Sequence, residues 1–333
     1  MKIKNINIKG LHKEWNLSCT FDTKVNIISG INGAFKSTLL RLIRDLLLSR
    51  LVDKGSDDKG SDDKRKKDPI DGADIEFLSN INLFYKHFED SLLSLKKVKD
   101  DELLEDLASQ VQSDLKNVDD KTLSERILKA DIIAFKMDRK KMSRKAFSEE
   151  CKVDFISTFD VPQPSHLDSL LLDLERDYAY YLSDLAKNVT QIIIENGSIE
   201  HDVFKKIYEH NDLFIKIIEE AFSMTEKTID TSQSKLSFKI GDRTLDSKSL
   251  SSGEKQLLII MLTVLLEKNE EYILLMDEPE ISMHFEWQKK LISNIISLNP
   301  NCQIILTSHS PAIIMDGWEQ FVLRMDDIRT KIK

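Results

Sequence analysis

Lys36, Ser37 and Thr38 close the stretch GINGAFKST, which runs from Gly30 to Thr38. A lysine and two hydroxyl residues after a short glycine-bearing loop form the set that holds a nucleoside triphosphate. Backbone N–H groups must converge on the phosphates at the positive end of a helix, the lysine bridges them, and a hydroxyl faces Mg2+. Gly30 and Gly33 supply the tight turn, Lys36 the point charge and Ser37 the magnesium-facing hydroxyl, with Thr38 following. The pattern G-x-x-x-x-G-K-[ST] asks for a second glycine where this chain has Phe35. If that position needs a positive φ, a side chain there costs about 1–3 kcal/mol, which a large domain tolerates. The phosphate contact uses the backbone N–H, which Phe35 retains. The expected loop is strained but competent; the competing expectation is a site that binds ATP and turns it over slowly.

Three further stretches carry chemistry. In YILLMDEPE an apolar run ends in Asp277 and Glu278. A carboxylate at a strand end can reach Mg2+ through water, and the next one can polarise the attacking water. In IILTSHSP a second apolar run ends near His309, whose imidazole can donate to a γ-phosphate. In LSSGEKQ, Leu250, Ser251, Ser252 and Gly253 precede the apolar helix QLLIIMLTVLL. A serine there is an N-cap in any protein; beside the other motifs it reads as a second anion-binding cap.

The elements that must position these residues are legible around them. Ile3, Ile6 and Ile8, then LSCTF and KVNIIS, predict short strands leading into the loop, and KSTLLRLIRDLLLSRL predicts a helix after it. KLSFKIGDRTL predicts a strand pair, and alternating strands and helices near the C-terminus predict a mostly parallel sheet. Between them the signal weakens. The duplication GSDDKGSDDK at residues 55–64 predicts a mobile surface loop. Residues 74–129 show charged, helical spacing, and ADIIAFKMD with KVDFISTFD predicts two strands around the basic tip RKKMSRKAFSEE. From Pro164 to Met224 apolar residues recur every three to four positions, broken at Gly197, which predicts two helices forming either an arm or a packed subdomain. The expected division is 1–73 (N-terminal ATPase lobe), 74–163 (insertion and strand pair), 164–234 (helical arm) and 235–333 (C-terminal ATPase lobe).

The chain has 333 residues and a net charge of −9, which argues against a whole-surface grip on nucleic acid. Cys19, Cys151 and Cys302 fall in no metal-ligand spacing and predict reduced thiols in a cytoplasmic protein. The apolar runs are too short for a membrane span, and the alternating N-terminus is not a signal-peptide core.

The order GINGAFKST, LSSGE, DEPE, SHSP resembles the ATP-binding-cassette (ABC) class of ATPases, within it the SMC/RecF branch. DEPEISMHFEWQ with TSHSP is similar to the ATPases of overcoming-lysogenization-defect nucleases, Septu systems and PARIS anti-phage systems. The resemblance covers roughly the first 50 residues and residues 235–318. It implies an α/β P-loop NTPase fold, with a mostly parallel central sheet, an antiparallel N-terminal β-region and a helical insertion. It implies ATP and Mg2+ as cofactors, with Asn32, Gly33, Lys36, Ser37 and Thr38 as the phosphate cradle. Ser37 and Asp277 would serve the metal, Glu278 hydrolysis and His309 the γ-phosphate. The signature of the class reads LSGGQ, which Ser251 and Gly253 match and Ser252 and Glu254 do not. It caps the nucleotide of a second subunit, so the resemblance implies an ATP-sandwiched homodimer or a higher homo-oligomer. It implies a magnesium-contacting glutamine, for which Gln163 is the candidate; the exposed Trp15 is the candidate for stacking adenine. Only 24 residues follow His309, too few for a TOPRIM nuclease, so the expected effector is a separate protein, triggered by DNA or a phage protein. The alternative is a DNA repair ATPase of RecF/SMC type that binds DNA directly, with residues 139–145 contributing.

Overall fold

In the computed structural model residues 1–49, 70–88, 130–137, 140–157, 164–231 and 236–332 are described. The duplicated segment at residues 55–64, Arg139, Gln163 and most of the 74–129 stretch lie outside them. Along the chain the elements are β1 (Ile3–Leu11), β2 (Trp15–Thr20), β3 (Val25–Ser29), α1 (Lys36–Leu47), β4 (Gly72–Phe77), β5 (Ile81–Phe88), β6 (Ala130–Met137), β7 (Lys140–Met142) and α2 (Arg144–Glu150). Then come β8 (Val153–Ser157), α3 (Pro164–Asn196), α4 (His201–Phe222), β9 (Thr228–Ile229), β10 (Ser237–Ile240), β11 (Arg243–Asp246), α5 (Ser252–Leu266) and β12 (Ile273–Asp277). The chain closes with α6 (Phe285–Leu298), β13 (Gln303–Thr307), α7 (Pro311–Ile314), β14 (Val322–Arg324), α8 (Met325–Ile328) and β15 (Arg329–Lys331). These fall into two compact units, one of Met1–Thr23, Gly30–Val153 and Leu323–Lys333, the other of Lys24–Ser29 and Asp154–Val322.

The first unit is built on an antiparallel sheet ordered β15-β2-β1-β4-β5-β6-β7. Alternation makes it: Ile6 and Ile8 of β1 and Ala73, Ile75 and Phe77 of β4 are buried, with polar residues between them. In α1, Leu39, Leu40, Ile43, Leu46 and Leu47 are buried, as its spacing predicts.

Two expectations are corrected here. Residues 74–88 are strands, not helix: Ala73, Ile75 and Phe77, then Ile81, Leu83 and Tyr85, are buried at every second position around a turn at Asn80 (φ 58°). Nor do the two strands around the basic stretch pair with each other. β6 pairs with β5 and β7, whereas β8 joins the sheet of the second unit. The basic stretch carries a short surface helix rather than a hairpin tip, with Lys140, Arg144 and Lys145 exposed. Ser143 caps α2 by accepting from the Ala146 N–H (3.2 Å), and Phe147 is buried against Phe135 and Phe77, with ring centroids 4.3 and 5.8 Å away. Arg144 donates to the Leu48 and Ser49 carbonyls, where a cation is favoured just past the C-terminal end of α1.

In the second unit β3, β13 and β12 run parallel and adjacent, with β8 beyond β12. The other sheet holds the predicted β10–β11 pair and β9, all antiparallel. Helix α5 is buried at almost every position from Gly253 to Leu265, as an apolar helix must be. The predicted helices α3 and α4 meet at Gly197 (φ 78°). Leu171, Tyr178 and Tyr181 of α3 and Phe214, Ile218 and Phe222 of α4 share one core with α5. Within it the Tyr178 hydroxyl donates to Asn211 (2.8 Å). These residues therefore form a packed subdomain, while Ile194 near the end of α3 is 77% exposed.

Cys19, Cys151 and Cys302 are buried and form no disulfide among the described residues, and burial pushes the Cys19 and Cys151 thiols up to about 12. Among the described residues no helix is long and apolar enough to cross a membrane.

Candidate nucleotide site

Three parallel strands end together. Thr307, the last residue of β13, lies opposite Asp277, the last of β12, and opposite Ile28, one residue before the end of β3. The Ser308 N–H donates to the Ile28 carbonyl (3.2 Å). In open parallel sheets ligands bind where loops leave the carboxyl ends of the strands. The residues that follow these ends in the chain are Gly30, Glu278 and Ser308.

The loop after β3 has the geometry its sequence requires. Gly33 has φ 80°, and Phe35 has φ 67°, ψ 20°, so the pattern's glycine position is indeed left-handed. A side chain there costs about 1–3 kcal/mol. Phe35 caps α1 without a side-chain hydrogen bond, and the first turn of the helix has no acidic residue. No acid of the helix's own first turn therefore competes with a phosphate for its positive end. Lys36 is 5% exposed and its Nζ donates to the Gly30 (2.9 Å) and Ile31 (3.3 Å) carbonyls, which keeps the ammonium folded against the loop. Asn32 and Gly33 are exposed, Ser37 is half-buried, and Thr38 is buried with its hydroxyl accepting from Arg41 (3.4 Å). Trp15 is half-buried rather than exposed, and is engaged by Phe35, Arg329 and Lys331.

At the end of β12 and β13 the second unit brings Asp277, Glu278 and His309 together. Asp277 is 2% exposed and accepts from the Thr307 hydroxyl (2.6 Å). The same hydroxyl accepts from the Glu278 N–H (3.0 Å), which fixes Glu278 in a left-handed conformation with φ 48°. The Glu278 carboxylate lies 3.5 Å from His309 Nε2. Such backbone strain persists only where surrounding bonds over-determine it, and it clusters at functional positions.

Two positioning residues escape a reading of the motifs alone. One is Thr307, just described. The other is Glu280, which is 8% exposed; its Oε1 accepts from the Ser308 hydroxyl (2.6 Å), the His309 N–H (3.0 Å) and the Ser310 N–H (3.3 Å). Ser310 in turn donates to Gln288, whose Nε2 donates to the Met283 carbonyl (3.0 Å). The loop bearing His309 is thus built around a buried carboxylate. Glu280 stands in the sequence as the last residue of DEPE, but the partners that give it this role lie 28 to 30 positions away.

Ser251 and Gly253 sit at the start of α5. The Ser251 hydroxyl accepts from the Glu254 N–H (3.4 Å) and the Glu254 carboxylate accepts from the Ser251 N–H (2.8 Å), a capping box. Burial raises the Glu254 carboxyl, but donors from Lys227 (2.6 Å), Ser251 and Thr225 (2.9 Å) outweigh it and hold the group below its ordinary value. The glutamate that departs from the class signature therefore secures the helix start.

Gly253 is required by close approach: a Cβ there would lie 2.2 Å from the Ser282 carbonyl oxygen, in the turn after Glu280. Gly253→Ala should lower stability by about 1–3 kcal/mol through overpacking. In urea unfolding the neighbouring Ser252→Ala, at an exposed position, should stay within about 0.5 kcal/mol of wild type.

Among solved structures the chain is similar to the SMC head domain from Thermotoga maritima (12% identity, TM-score 0.48, 95% of this chain and 92% of that one). It is also similar to an SMC head bound to the C-winged helix domain of ScpA (12% identity, TM-score 0.47, the same coverage). Among curated proteins it is 26% identical over 174 residues to the Septu protein PtuA of Bacillus thuringiensis. That match spans 45% of this chain and 43% of PtuA. A family model described as "AAA domain, putative AbiEii toxin, Type IV TA system" matches residues 25–316, from β3 through the His309 loop, and the chain belongs to that AAA-domain family.

Proposed function

We propose that the chain is a cytoplasmic ABC-type ATPase that binds and hydrolyses ATP with Mg2+ and uses the cycle to switch a separate effector protein. The observation that carries the ATP reading is the shared edge where β3, β13 and β12 end in register, with the lysine loop, the Asp277–Glu278 pair and His309 on the residues that follow. Asn32, Gly33, Lys36, Ser37 and Thr38 take the phosphates through loop amides, the ammonium and the hydroxyls. Ser37 and Asp277 are the magnesium-directed hydroxyl and carboxylate, and bound magnesium supplies neutralisation of phosphate charge. Glu278 accepts the proton of the attacking water, and His309, 3.5 Å from it, donates to the γ-phosphate. Ser251 and Gly253 serve a second copy's nucleotide, so the working unit is an ATP-sandwiched homodimer.

Similarity to a Septu protein supports a place in bacterial anti-phage defence; the proposed effector there is a separate protein such as a TOPRIM nuclease. The experiment measures ATP hydrolysis with and without duplex DNA, and recovers proteins that co-purify from the native host with and without phage. A co-purifying effector and a rate unmoved by DNA support the switch. DNA-stimulated hydrolysis with no partner recovered supports the RecF/SMC-type repair ATPase instead.

A further inference from the structure

Phe35 stands where the nucleotide-loop pattern has glycine, and its ring is seated. Its centroid lies 5.7 Å from the His12 ring and 6.2 Å from the Trp15 ring, inside the range in which aromatic pairs attract. His12 and Lys13, at φ 51° and 61°, form the turn between β1 and β2, and Trp15 opens β2. The Trp15 ring is itself held: the Arg329 guanidinium lies 5.2 Å and the Lys331 ammonium 6.0 Å from its centroid. Both cations are on β15, which pairs with β2 through Arg329↔Leu17 and Lys331↔Trp15. One line of contacts therefore runs from the left-handed residue of the loop, through the β1–β2 hairpin, to the last strand of the antiparallel sheet.

A glycine at position 35 adopts the left-handed backbone without strain, but it also populates many other conformations and has no side chain to anchor. We propose that Phe35 is a positioning residue: its ring, seated on His12 and Trp15, holds the left-handed turn before Lys36 and so preorganises the loop for a triphosphate. This inference rests on the reading of the loop as a nucleotide site. Its consequence runs against the pattern. Restoring the consensus glycine weakens binding, because a loop without its anchor must lose more conformational freedom when the phosphates order it.

Three substitutions separate ring from backbone. Phe35→Tyr keeps both the ring and the strained backbone, Phe35→Gly removes both, and Phe35→Ala removes the ring while leaving the strain. In MgATP titrations Phe35→Tyr should bind within about two-fold of wild type, Phe35→Gly about 3- to 10-fold more weakly, and Phe35→Ala about 10-fold more weakly or worse. Trp15→Ala removes the seat, so adding it to Phe35→Ala should produce little further loss, and thermal unfolding without nucleotide should show the same non-additivity. Phe35→Gly binding as tightly as wild type or tighter, or Phe35→Ala and Trp15→Ala effects that simply add, would overturn the positioning role. A wild-type chain that binds no ATP would instead overturn the nucleotide reading, and the positioning role with it. The unfolding cycle then reports on the Phe35–Trp15 contact alone.

Discussion

Replacing Lys36 with methionine should weaken MgATP binding by about 100-fold or more and remove measurable turnover. A hydrogen bond to a charged group contributes about 1.5–3 kcal/mol, and a lysine that bridges two phosphates forms more than one. With about 1.4 kcal/mol per decade of affinity, the loss reaches two to three decades. Methionine suits the test because Lys36 is 5% exposed, and the new side chain keeps the buried stem while deleting the ammonium. The Gly30 and Ile31 carbonyls lose their donor. Ile31 is 70% exposed, so water can replace the bond there. Far-ultraviolet circular dichroism and the unfolding midpoint should therefore stay close to wild type while calorimetric binding disappears. A variant that binds ATP as well as wild type would remove Lys36 from the site.

Replacing Glu278 with glutamine should leave binding intact and lower kcat by about 10²- to 10⁴-fold, the usual contribution of a positioned general base. Glutamine has the same shape, and the N–H that donates to Thr307 is retained, so the left-handed backbone at position 278 keeps its support. What is lost is the proton acceptor beside His309. An enzyme that still binds but cannot hydrolyse should accumulate in its ATP-bound form. In size-exclusion chromatography with light scattering, Glu278→Gln should run as a dimer in MgATP and as a smaller species without it. Wild-type turnover in this variant would reassign the base; a variant that stays monomeric in excess ATP would remove the two-subunit clamp.

The legible parts of the sequence were those in which local composition and tertiary fate agree. β12 and β13 read as buried strands because their apolar runs end in polar motifs, and the break between α3 and α4 read from Gly197 because periodicity fails there. The left-handed backbone at position 35 followed from the pattern's glycine. β4 and β5 did not read correctly, because they open a long charged stretch, residues 74–129, that outweighs their own two-residue alternation. The short helix of the basic stretch was hidden because a single buried ring, Phe147, anchors it while its charges stay in solvent. Thr307 and Glu280 act through hydrogen bonds to residues 28 to 30 positions away, so no local pattern marks them. The same holds for the ring of Phe35, whose seat comes from hairpin residues 20 and 23 positions earlier.

Isothermal titration of the wild-type chain and Lys36→Met with MgATP tests the central claim most directly. Saturable heat from the wild type at one nucleotide per chain, absent from a folded Lys36→Met, is the predicted result. No heat from the wild type, or equal heat from both proteins, would contradict it.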